Sequence, residues 1–238
     1  MQNRQLNLQI PVNTVVKAIV IILALLLVAN IVVIIVGHTT GHYSLYGVLP
    51  LFRLDQEHNV PTYFATVILL VSSVLLYTIF RIHKRDNLSD SKYWRLLSLI
   101  FLLLSLDEAA GLHELLIRPL KDLLGIDEPS LFYFAWVIPG IIICVVFALY
   151  FFRFYLSLPS RYRLLFGISA LVFVGGFLGM EIVDGFFAPT MGERTLLYDI
   201  LTTIEEFMEL SGIALFIYSL LDYIKSRGDT ISVSLSGQ

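Results

Sequence analysis

The chain has 238 residues, 57% hydrophobic and 15% charged, with a formal net charge of −3 and a mean hydropathy of +0.81. That apolar share exceeds what a soluble domain of this length carries and points to an integral membrane protein. The scattered basic residues exclude a nucleic-acid patch, and the single cysteine, Cys144, excludes an intrachain disulfide and a thiolate metal cluster.

Residues 1 to 13 read as a short polar cytoplasmic lead. Six apolar runs follow, each long enough at about 20 residues per hydrocarbon crossing to span as a helix. They are Val15 to Val36, Thr62 to Ile82, Trp94 to Ile117, Leu131 to Tyr155, Tyr162 to Phe187 and Leu196 to Ile224. The first is too long for a signal-peptide core, so it reads as a retained helix. The runs lack the alternating pattern of outer-membrane strands, which excludes a β-barrel. The fold class is therefore all-α, a six-helix bundle over residues 14 to 225, with residues 226 to 238 as a Ser/Gly-rich cytoplasmic tail without fixed structure.

The Lys/Arg distribution orients the bundle. With the N-terminus inside, twelve of the sixteen basic residues fall on the cytoplasmic side, leaving Arg53, Arg118, Lys121 and Arg194 outside. Both termini are then cytoplasmic. The long outer connection, 37 to 61, mixes aromatics with His38, His42, Asp55, Glu57, His58 and Asn59, and its aromatics suit a lid on the membrane surface. The alternation of Asp55, Glu57 and Asn59 is only a faint calcium-loop signal, because the Gly and the distal Glu are missing. His58 and His83 read as solvent-exposed, and Trp136 as an interfacial anchor.

Acidic residues inside the apolar runs carry the functional argument. Asp107, Glu108 and Glu114 lie in the third run, Glu181 and Asp184 in the fifth, Glu205, Glu206 and Glu209 in the sixth. An ionised Asp at the bilayer centre costs roughly 2.5–3.5 kcal/mol on insertion scales, so eight such residues call for functional chemistry. On an unbroken third helix, Asp107 and Glu114 share a face to within about 20°, two turns apart, with Gly111 between them. Thr202, Glu205, Glu206 and Glu209 occupy an arc of about 100° on the sixth. At about 1.5 Å of rise per residue, all three sets fall in the outer half of the bundle. Glu114, Asp184 and Asp199 lie near enough to the surface for simple solvation.

So many acids facing one another need either protons or a bound cation. A divalent metal cation is the favoured cofactor, with Asp107, Glu181, Glu205 and Glu209 as ligands and His113 or Glu114 as catalytic proton acceptor. Glu108, Asp184, Thr202, Glu206, His38 and His42 are supporting residues. Oxygen-rich ligation suits Mn²⁺, Mg²⁺ or Ca²⁺, whereas His38, His42 and His113 with a carboxylate would suit Zn²⁺. The paired Glu-x-x-His motifs of di-iron bundles are absent.

Three segments together, LFRLDQEHNVPTYFAT (51 to 66), LSLDEAAGLHE (104 to 114) and IEEFMELSGIALFIYSLL (204 to 221), resemble a group of uncharacterised bacterial multi-pass membrane proteins. That group carries an Asp-Glu…His-Glu helix and a final Glu-Glu…Glu helix. The resemblance implies a bacterial inner membrane and imports no activity. The prenyl-protein endopeptidase pattern fails, since no His follows Glu205 and Glu206. The helix-borne histidines of alkaline-ceramidase-like hydrolases are missing as well.

The reading that results is a metal-dependent hydrolase acting on a lipid or lipid-linked substrate. A cation or proton transporter using the same carboxylates is the alternative, and a non-catalytic sensor or assembly partner a third. The expected partners are the bilayer and a lipid or cation ligand.

Overall fold

The computed structural model describes residues 6–9, 11–126, 130, 132–191, 195–228 and 232–235. Eight α-helices make up nearly all of it. They are joined by turns and connections, and one antiparallel pairing links β1 (Leu6–Gln9) and β2 (Ser232–Leu235), with Leu6 opposite Leu235. The sequence suggests a tail without fixed structure, yet these four tail residues pair with the lead. Arg4, Arg194, Leu131 and the last three residues lie outside the described set.

Local signals set the helix limits. Helix α1 (Val12–Thr40) runs past the predicted Val36 and stops at Gly41, whose φ of 70° lets its N–H cap the carbonyl of Gly37. Helix α2 (Val60–Arg85) starts at Asn59, whose side chain accepts from the N–H of Thr62 while Pro61 occupies the first turn. Helices α3 (Ser91–Ala110) and α4 (Ile117–Leu124) replace the single third run. The break falls at Gly111, left-handed at φ 57°, and the pieces diverge by 72° with a 3₁₀ turn, Glu114–Leu116, between them. His113 and Glu114 therefore leave the phase of α3, and the expected stripe from Asp107 to Glu114 does not form.

Helix α5 (Val137–Ser157) begins after a turn at Trp136 rather than at Leu131. The fifth run divides into α6 (Ser160–Val174), a six-residue π-helical segment (Gly175–Met180) and α7 (Glu181–Met191). Helix α8 (Leu196–Ser226) is capped by Thr195, which accepts from the N–H of Tyr198. Among the described residues, five helices are long and apolar enough to cross a membrane, or six if α3 and α4 make one span. Exposed residues such as Leu25, Ile143 and Leu149 clothe their outer faces. This architecture is compatible with a multi-pass membrane protein.

The core lies between α2, α3, α6 and α8. Leu76, Ile79, Trp94, Ile217 and Leu220 are buried at its centre. Two glycines let α8 approach α6 and the π-helical segment that follows it: a Cβ on Gly212 would lie 2.7 Å from the backbone nitrogen of Phe173, and one on Gly176 would lie 2.8 Å from the carbonyl oxygen of Glu205. Buried hydroxyls are spent on backbone carbonyls, Ser73 donating to Ser98 at 2.7 Å and Ser105 to Thr66 at 2.9 Å. At the far end, His83 is buried rather than exposed as its sequence suggested. It bonds Asp90 at 2.7 Å and the Tyr223 hydroxyl at 3.1 Å, packed edge-on to Trp94.

Candidate functional site

The acids converge on one cavity of about 160 Å³, lined by residues 54–57 of the α1–α2 connection and by parts of α2, α3, the 3₁₀ turn, α4, the π-helical segment, α7 and α8. Asp107, Glu108, Glu114, Glu181, Asp184, Glu205, Glu206 and Glu209 all line it, with His113 and Thr202. No Lys or Arg does, among the described residues. The gathering that helical phase anticipated is present, although the route by which His113 and Glu114 reach it differs.

Asp107 and His113 form the best-defined unit. One oxygen of Asp107 accepts the backbone N–H of His113 at 3.0 Å and the other meets its Nδ1 at 2.9 Å. The left-handed turn at Gly111 makes this return contact geometrically available. Through these two contacts Asp107 holds the imidazole in place. The Nε2 of His113 stands 3.9 Å from Glu57, and the ring packs against Trp136. Glu114, by contrast, is exposed at the rim.

The π-helical segment delivers the second unit. Glu181 accepts from Nε1 of Trp136 at 2.9 Å, so Trp136 is a buried site residue instead of an interfacial anchor. Asp184 is 1% exposed, and among the described residues neither of its oxygens meets an N–H or hydroxyl donor. It faces the carboxyl of Glu205, which in turn stands beside Glu181. A buried carboxyl with no N–H or hydroxyl donor is costly to leave ionised, so it calls either for a proton shared with Glu205 or for a cation. Surface solvation, which its position near a helix end suggested, does not explain Asp184.

Other residues fall outside the cavity. His42 is exposed, and His38 contacts Asp199 at 2.6 Å. Asp199, expected at a solvated surface, is 1% exposed and also accepts from Arg53 at 2.6 Å. Arg53 spans Asp199 and Asp55, which it holds through two further bonds at 2.7 and 2.8 Å. The bond to Asp55 raises the pKa of Arg53 against the lowering effect of its burial, so the guanidinium stays charged. This clamp fixes the α1–α2 connection to α8. His38 and His42 are absent from the cavity lining.

Glu57, which the sequence offered only as part of a faint calcium-loop alternation, is a residue of the cavity wall. Its Oε2 is buried without a donor and sits directly over Gly111, where a side chain would collide with it. Burial, then the neighbouring Glu114 carboxylate, raises the Glu57 carboxyl above its usual 4.5. The signal for it was the helix start at Asn59 and Pro61, which places Glu57 just beyond the end of α2 that carries Thr62 and Ala65 into the cavity wall.

Among the described residues, no three His, Cys, Asp or Glu side chains are gathered at metal-coordinating separation. A family model described as a domain of unknown function, DUF8692, matches residues 18–223. The chain belongs to the DUF8692 family. No curated protein and no solved structure matches it. Every cavity residue falls within the DUF8692 match, whereas both strands of the terminal ribbon fall outside it.

Proposed function

We propose that this chain is a multi-pass protein of a bacterial inner membrane, both termini cytoplasmic, whose cavity opens outward and binds a divalent cation. Asp184 carries the reading: a buried carboxyl facing Glu205, with no N–H or hydroxyl donor among the described residues, in a cavity whose described lining holds many acids and no Lys or Arg. Glu181, Asp184, Glu205 and Glu209 would hold the ion. An acid-only set suits a hard cation such as Mn²⁺, Mg²⁺ or Ca²⁺. Binding would draw together side chains that stand apart without it.

The chemistry proposed is hydrolysis of a lipid-linked substrate. A bound cation would supply an activated water at neutral pH. His113, its Nδ1 fixed by Asp107, presents Nε2 to the cavity as the proton acceptor. Trp136 holds Glu181 in place and closes one wall against water. Below the cavity the core is apolar, with Leu76, Ile217 and Leu220 buried, and Ser72 and Ser219 donate to carbonyls of their own helices. That closed floor favours a blind pocket over the transporter alternative.

Metal analysis of detergent-purified protein tests the reading. Stoichiometric Mn²⁺, Mg²⁺ or Ca²⁺ is expected, with Asp184→Asn and Glu205→Gln lowering affinity by at least about ten-fold, since even outer partners of a metal site cost 10- to 100-fold. Absence of binding in the wild type, or unchanged binding in both variants, overturns it.

A further inference from the structure

The segment from Leu112 to Leu124 is anchored to the bundle by Ile117, packed on the Trp136, Val137 and Leu178 cluster, while most of its residues are exposed. It leaves α3 at 72°, so if α3 runs along the membrane normal this segment runs nearly in the plane. Its side chains divide cleanly. At 100° per residue, Ile117, Leu120, Leu123 and Leu124 fall within about 120° of arc, while Arg118, Lys121 and Asp122 share about 100° on the other side. The leucines are not buried in protein: Leu123 is 79% and Leu115 68% exposed, and Leu112, Leu116 and Leu124 are exposed as well. Lys121 holds its ammonium over the ring of Tyr133 at 3.4 Å, pairing a cation with an aromatic of the kind found at headgroup depth.

We propose that Leu112–Leu124 lies flat in the outer interface of the membrane, leucines among the acyl chains and Arg118 and Lys121 toward lipid phosphates. An amphipathic helix with a basic polar face adopts that placement. The occupant of the leucine face is therefore phospholipid. The consequence concerns the site, because Glu114 and Ile117 belong to this segment and also line the cavity. The cavity rim then sits at headgroup depth, and a lipid headgroup enters sideways from the leaflet without leaving it. This inference rests on the membrane-spanning reading of the bundle.

Nitroxide labels on the full chain, in vesicles of phosphatidylethanolamine and phosphatidylglycerol, test it. With Cys144→Ser as background, single cysteines replace Leu123, Asp122 and, on α5, Leu149. Collision with oxygen reports lipid, and collision with a water-soluble nickel chelate reports water. A several-fold higher oxygen-to-nickel ratio at Leu123 than at Asp122, with Leu149 deep in lipid, is expected. Leu149 in lipid with Leu123 as wet as Asp122 overturns the interfacial segment alone. Leu149 in water overturns the spanning reading together with it.

Discussion

Asp107 gives both carboxylate oxygens to a single residue, His113, taking its backbone N–H at 3.0 Å and its ring Nδ1 at 2.9 Å. The two contacts separate by substitution. Asp107→Asn keeps an acceptor for the backbone and removes the charge beside the ring. Asp107→Ala removes both. Detergent unfolding should show Asp107→Ala destabilised by about 1–3 kcal/mol and Asp107→Asn by less, while ¹⁵N spectra of the His113 ring change in both. Equal destabilisation with unaltered ring signals would mean that Asp107 does not set the imidazole.

Two glycines of the π-helical segment should respond oppositely to alanine. At Gly176 the new methyl would lie 2.8 Å from the carbonyl oxygen of Glu205 and 2.9 Å from Cγ of Glu209. Gly176→Ala is expected to cost about 1–3 kcal/mol as overpacking and to weaken cation binding. At Gly179 nothing lies within 4 Å. Gly179→Ala should be neutral or slightly stabilising. Thermal unfolding of both variants in the same detergent reads the contrast, and a tolerated Gly176→Ala would contradict the packing described.

The Arg53 clamp predicts strong coupling. Arg53→Ala leaves Asp199 buried with a charge and only His38 to meet it, at an expected cost of about 3–5 kcal/mol. Adding Asp199→Asn removes the stranded charge and should recover part of that loss. A double-mutant cycle in which the two effects simply add would show that the pair is not coupled.

Glu57 gives a pH signature. Its folded pKa lies above the usual 4.5, so the folded state holds the proton more tightly than the unfolded one. The associated stability is complete below about pH 4.5 and is lost as pH rises through the elevated folded value. The groups facing it are Glu114, His113, His58 and Asp107, with Glu108 also in range. Glu57→Gln should therefore be more stable than the wild type near neutral pH, with the gap narrowing in acid. A gap that widens in acid would refute this.

At the far end, His83 should prove structural. His83→Ala strands Asp90 and the Tyr223 hydroxyl beside Trp94, whose Nε1 already lacks an acceptor. A loss of about 1–3 kcal/mol is expected, with cation binding at the opposite end unchanged in protein that remains folded.

The convergence of Glu181, Glu205 and Glu209 on one cavity was legible in the sequence because α8 keeps one unbroken phase and each acid interrupts an otherwise apolar run. The third run failed at a single residue. Gly111 reads equally well as a small packing residue or as a left-handed stop, and periodicity cannot distinguish them when leucines continue on both sides. His83 was misread for a related reason: its basic neighbours Lys84 and Arg85 mark a loop, yet its own phase on α2 points to Tyr223. Asp199 and Arg53 were beyond reach, since their partnership joins residues 146 apart in sequence.

The π-helical segment has one more implication. Each residue added to or taken from a helix turns everything beyond it by about 100° relative to what came before, and a π segment absorbs extra residues that a regular helix would not. Shortening Gly175–Met180 by one residue would leave α6 seated on α8 through Gly212 and Phe173, yet swing Glu181 and Asp184 away from Glu205. Glu181 and Asp184 are thus mounted on a register shim, set by the residue count of Gly175–Met180 and not by the packing of α6 on α8.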